Sequence, residues 1–102
     1  MEEESIKLGE MIELTGFSGI ENAEKGIVRK MVGNYLNKLQ NKNSEAKKLI
    51  LKLKKVHETK DGGINEIKAT LVVKDKEIHS ESSERNLFIA IDQAMRKIES
   101  QM

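Results

Sequence analysis

Residues 46–58, "AKKLILKLKKVHE", constrain the fold more than any other stretch of the chain. Leu49, Leu51 and Leu53 recur at every second position, with Lys48, Ile50, Lys52 and Lys54 at the alternate ones. On a helix these leucines would scatter around the axis, whereas on a strand they line one face. The run therefore predicts a strand with an apolar face and a basic one. "KDGG" at 60–63 supplies residues that tolerate positive φ, and "INEIKATLVV" then puts Ile67, Ala69, Leu71 and Val73 on one side. A second tight turn at Lys74 and Asp75 leads to "KEIHSES", with Ile78 facing in and His79 facing out. Three antiparallel strands of this kind leave one apolar face that must be covered.

Two helical patterns supply the cover. From about Ile20 to Gln40, after an "FSG" loop, Ile27, Val28, Met31, Val32, Tyr35, Leu36 and Leu39 recur at spacings of three and four. A last helix is expected from about Glu84 to the C-terminus, with a stripe of Leu87, Phe88, Ile91, Ala94, Met95, Ile98 and Met102 and with Ser83 as its N-cap. "MIELTG" before the first helix reads as a short strand ending at Gly16. The expected fold is α+β, in the order β-α-β-β-β-α, with a four-stranded sheet and both helices packed on one face. At 102 residues the chain fits one domain with a single core, assigned to residues 10–102, behind an acidic leader at 1–9 whose Ile6 and Leu8 can extend the following strand.

Little in the sequence supports catalysis. There is no cysteine, so disulfides and thiolate metal sites are excluded, and His57 and His79 are the only histidines, too few for the usual zinc set. Ser80 and Ser82 alternate away from His79, which separates a hydroxyl from its candidate base. Gly62 and Gly63 lie between strands, not between a strand and a helix, so they are no phosphate cradle. No enzymatic activity, cofactor, metal or small-molecule substrate is expected. The acidic N-terminus is unlike a signal peptide, and no apolar run approaches the length that spans a bilayer. A soluble, cytoplasmic protein without a membrane partner, monomeric when free, is the expectation.

Charge is more informative in its distribution than in its sum of +1. The first thirteen residues hold five glutamates and one lysine, whereas residues 42–55 hold six lysines and one glutamate. At 100° per residue, the side of the first helix away from its apolar stripe carries Gly26, Arg29, Lys30, Gly33, Asn34 and Asn37. The corresponding side of the second carries Arg85, Ile89, Gln93, Arg96 and Lys97, with Asp92 at its flank. Cationic and amide faces of this kind suit a phosphate backbone, so RNA binding is expected.

The C-terminal third carries a family resemblance. "EIH" at 77–79, "NLFIAID" at 86–92 and "KI" at 97–98 resemble the "EIHA…DMYAAID…KL" pattern of the ribosome hibernation promoting factor and ribosome-associated inhibitor A family, and "LTG" at 14–16 resembles that family's "ITG". The resemblance implies a fold related to double-stranded RNA-binding domains. It also implies a factor that binds the small ribosomal subunit in the mRNA channel at the A and P tRNA sites and blocks translation sterically. The positions it assigns to ribosomal RNA are Arg29, Lys30 and Lys38 on the first helix and Arg85, Arg96 and Lys97 on the second, with Lys48, Lys52 and Lys54 on the sheet as further candidates. The chain departs from the family at "MVGNY", 31–35, where two expected basic positions are Met31 and Asn34. By that resemblance, a chain of this length is expected to do without the C-terminal dimerisation domain of the family's long forms and not to pair ribosomes on its own. Two other readings remain at this point: an RNA-binding module with a non-ribosomal target, and a protein-interaction domain using exposed Ile50 and Ile89.

Overall fold

The computed structural model describes the backbone of residues 5–8, 11–59 and 62–102, and the side chains of 11–56 and 63–102. The elements are β1 (Ser5–Leu8), β2 (Ile12–Thr15), α1 (Asn22–Lys42), β3 (Ala46–Thr59), β4 (Gly62–Val73), β5 (Lys76–Glu84) and α2 (Leu87–Gln101). The expected β-α-β-β-β-α order is present from β2 onward, and the class is α+β. A short strand precedes it: residues 5–8, within the expected leader, pair antiparallel with β2, Leu8 opposite Ile12. Ile6 and Leu8 thus belong to a strand that runs against β2 and do not lengthen it. The resulting sheet has the order β1-β2-β3-β4-β5, with β2 and β3 parallel and every other pair antiparallel.

The period-two pattern of β3 sets everything else. Leu49, Leu51 and Leu53 are buried and face Leu71, Ala69 and Ile67 of β4 in register, while Lys52 and Lys54 are exposed on the opposite face. The parallel neighbour β2 adds Ile12 and Leu14 beside Leu49 and Leu51. Both helices lie over this apolar face and share one core with it. They run in the same direction, because Tyr35 pairs with Asp92 near the middle of the layer and Lys38 with Glu99 further along.

The second hairpin turn holds Lys74 at φ 55°, a left-handed conformation that a tight connection between Val73 and Lys76 requires. The residues between Thr59 and Gly62, where "KDGG" predicts the first turn, lie outside the described residues, as does the side chain of His57. Gly16, which ends β2, has φ +83°, and a Cβ there would fall 2.2 Å from the Leu53 carbonyl oxygen. Only glycine lets the chain leave β2 this close to β3. The "FSG" loop that follows is not merely a connection, since Phe17 and Ile20 are both buried in the core.

Several boundaries differ from expectation. Ile27, expected in the apolar stripe of α1, is 48% exposed, and the buried set narrows to Val28, Val32, Leu36 and Leu39 with Met31 and Tyr35 packed at its margin. β5 runs on to Glu84, so Ser83 is an exposed strand residue and not a cap. The cap of α2 is Asn86, whose side chain accepts hydrogen bonds from the backbone N–H groups of Phe88 (2.9 Å) and Ile89 (3.1 Å). Pairing with β4 out to Asn65 opposite Glu84 is what carries the strand past the serine. Arg85 accordingly lies in the connection before α2, not on its outer face, and Met102 is 39% exposed at the far end.

Candidate nucleic-acid interface

The surface of the helical layer is built first by α1. Glu24 closes its N-terminus, accepting a hydrogen bond from the Glu21 backbone N–H at 3.1 Å, which also places negative charge at the positive end of the helix dipole. From Lys25 to Lys42 the helix then contains five cations and no acid. Arg29 and Lys30 are exposed and make no ion pair among the described residues, and Asn34 and Asn37 are exposed beside them. The cations nearer the C-terminal end are engaged. Lys38 and Lys42 both approach Glu99 of α2, at 3.5 and 3.7 Å, and Lys38 also lies 5.9 Å from the Tyr35 ring centre.

The seam between the helices is polar. Tyr35 donates its hydroxyl hydrogen bond to Asp92, whose other oxygen receives Arg96 Nε at 2.9 Å. Burial pushes the Tyr35 phenol above its ordinary value of 10.0; the hydrogen bond to Asp92 and that carboxylate's charge act in the same sense, and Arg96 opposes them. The phenol therefore stays protonated as the donor. Met31, Asn34, Tyr35, Lys38 and Asp92 line a shallow groove at this seam.

Packing of α2 on β5 uses small residues. Ser80 donates to the Ala94 carbonyl at 2.8 Å and Ser82 to the Ala90 carbonyl, so two buried hydroxyls find partners where alanines let helix and strand come close. His79, pointing to the other face as expected, contacts Thr70 Oγ1 at 3.0 Å and Glu77 at 3.3 Å. Among the described residues no group of three or more His, Asp or Glu side chains is arranged to hold a metal. Likewise, no helix among them is long and apolar enough to cross a membrane.

The nine basic residues singled out by sequence do not form one surface. Arg29, Lys30, Lys38, Arg96 and Lys97 are on the helical layer and Arg85 leads into it, while Lys48, Lys52 and Lys54 are on the opposite, open face of the sheet. Several are already occupied: Arg96 by Asp92, Lys48 by Glu13 at 3.2 Å, and Lys97 by the Glu81 backbone carbonyl at 2.7 Å. On the open face Lys52 is the cross-strand partner of Lys68, a tenth cation that lies outside the nine. Like charges directly opposite each other are unfavourable, and Lys68 approaches Glu81 at only 3.9 Å between exposed groups. The hairpin register would have revealed it, since Lys68 shares parity with Thr70 and lies between Ile67 and Ala69, both buried.

No family model matches this chain, and no curated protein matches it.

Proposed function

We propose that this protein is a ribosome-associated hibernation factor that binds RNA of the small subunit in the mRNA channel at the A and P tRNA sites and blocks translation by occupying that space. The observation that carries the RNA-binding part is the outer face of α1. It offers Arg29 and Lys30, exposed and uncommitted, with amide side chains alongside and no acid between Lys25 and Lys42. Such a face binds phosphates by releasing condensed counterions, with donors that position the backbone without reading bases. The ribosomal assignment rests on the resemblance of "EIH", "NLFIAID" and "LTG" to the hibernation family. Blockade needs no catalytic group, only occupancy, and the cytoplasm is where such a factor acts.

Sedimentation of cell lysate on a sucrose gradient tests the proposal. The protein should migrate with small subunits or whole ribosomes and return to the free fraction at high salt; a protein that stays free under all growth conditions rejects the ribosomal target. Retention of RNA binding in that case would leave an RNA-binding module with another target. A protein-interaction role has one observation in its favour, the exposure of Ile89 at 47%, joined by Ile27 at 48%, whereas Ile50, expected to be exposed with Ile89, is half-buried in β3. Binding that is lost on Ile89→Asp and indifferent to salt would identify it.

A further inference from the structure

β5 forms one edge of the sheet, and nine paired residues make it the longer of the two edges. An edge strand presents unpaired N–H and C=O groups that can template another strand. Here two of those carbonyls are covered by the last turns of α2. Lys97 Nζ donates to the Glu81 carbonyl and Gln101 Nε2 to the His79 carbonyl, each at 2.7 Å, and the Gln101 amide is held in place by a second bond to the Lys97 carbonyl at 3.2 Å. Backbone groups alternate in direction along an antiparallel strand, so those of His79 and Glu81 point to the free edge while those of Ser80 and Ser82 point to β4. Lys97 and Gln101 thus span successive outward positions of the edge.

We infer that Lys97 and Gln101 form a latch over a self-complementary edge, and that releasing it lets a second copy of this chain add antiparallel through β5. The sequence of the strand specifies the register. Outward groups can bond only if odd positions meet odd ones, and the pairing centred on Ser80, the middle of the strand, uses all of Lys76–Glu84. It sets Lys76 opposite Glu84, His79 opposite Glu81 and Glu77 opposite Ser83, so oppositely charged or neutral groups meet throughout. Moving the centre to His79 would oppose Glu77 to Glu81, and moving it to Glu81 would oppose that glutamate to itself. The two-fold axis then stands perpendicular to the joined sheet, with both helical layers on one side and the two α2 helices adjacent. Both latch bonds are solvent-exposed and easily exchanged for water, which keeps the edge closed in the isolated chain yet accessible to a partner of matching register. The inference stands apart from the RNA-binding proposal, because it uses the edge and not the outer face of α1.

Analytical ultracentrifugation of the Lys97→Ala/Gln101→Ala variant provides the test, with circular dichroism to verify the fold. The variant should dimerise at concentrations lower than the wild type by about tenfold or more. In the dimer the backbone amides of His79 and Glu81 should change from fast to slow hydrogen exchange. Within the latch-free protein Lys76→Glu should weaken the dimer and Lys76→Glu/Glu84→Lys should restore it. A folded variant that stays monomeric overturns the inference, as does a dimer whose His79 and Glu81 amides remain fast. If the double variant does not fold, the single variants Lys97→Ala and Gln101→Ala, each removing one exposed latch bond, carry the same exchange test: protection at those two amides must set in at a lower protein concentration than in the wild type, and its failure to do so overturns the inference equally.

Discussion

α1 and α2 lie side by side on the same sheet and point the same way, yet they spend their side chains differently. α2 buries six residues in fifteen, and its polar groups are used within the chain: Asp92 on Tyr35, Arg96 on Asp92, Glu99 on two lysines of α1, Lys97 and Gln101 on β5. α1 is longer, at twenty-one residues, and buries four. Its N-terminal half leaves Arg29 and Lys30 with no task inside the fold. The contrast shows that cationic residues of equal prominence in the sequence are not equally available to a partner, because the fold has already committed some of them.

The sharpest break between the helices should appear in stability. Ile91 is wholly buried between α2 and the sheet, so Ile91→Ala removes apolar surface and leaves a cavity, costing about 3–4 kcal/mol in denaturant unfolding. Ile27→Ala, in the expected stripe of α1 but half exposed, should stay within about 0.5 kcal/mol of wild type. Equal losses would mean that Ile27 is packed as Ile91 is and would remove the basis for treating that side of α1 as free.

Next in size is the effect on RNA. Arg29→Glu/Lys30→Glu should lower affinity for small subunits about tenfold or more and reduce the salt slope by about two phosphate contacts, with the melting temperature nearly unchanged. Arg96→Gln should do less, because that guanidinium is held by Asp92 at 2.9 Å and binds phosphate only by giving up an existing partner. Binding and salt dependence are both measurable by gradient sedimentation across a salt series. The reverse ranking would move the interface onto α2.

What was legible in the sequence was what repeats. The alternation of Leu49, Leu51 and Leu53, the inward set of β4 and the opposed directions of His79 and Ser80 all follow from a period of two, the turn at Lys74 lies where that period breaks off, and the structure holds each of them. Helix ends were less legible because caps are single residues with rivals nearby. Ser83 and Asn86 both suit a cap, and only the pairing of β5 with β4 as far as Glu84 decides between them. Asn86→Ala should accordingly cost about 1 kcal/mol and Ser83→Ala close to nothing in thermal unfolding. The division of the basic residues between two faces was readable from the strand parity of Lys52 and Lys54. Their pairings were not, since Lys97 meets Glu81 and Lys38 meets Glu99 only after the layers have packed. Nor does periodicity reveal that β5 and α2 meet through Ser80 and Ser82 against Ala94 and Ala90, although two serines spaced by two and two alanines spaced by four are the signal to look for.

The smallest effect bears most directly on why α1 leaves its outer face as it does. Gly26 and Gly33 lie a full heptad apart, and a Cβ at either would meet nothing within 4 Å beyond the helix's own nearby backbone, so packing does not require glycine at either position. Each costs about 0.5–1 kcal/mol relative to alanine in a helix interior. A close approach of a phosphate backbone to the helix would account for them, because Cβ atoms at 26 and 33 stand on the side that carries Arg29 and Lys30. Gly26→Ala/Gly33→Ala should therefore raise the melting temperature while weakening binding to small subunits. Higher stability with unchanged binding would show that RNA does not come so near, and would leave the two cations gripping phosphate at the full reach of their side chains.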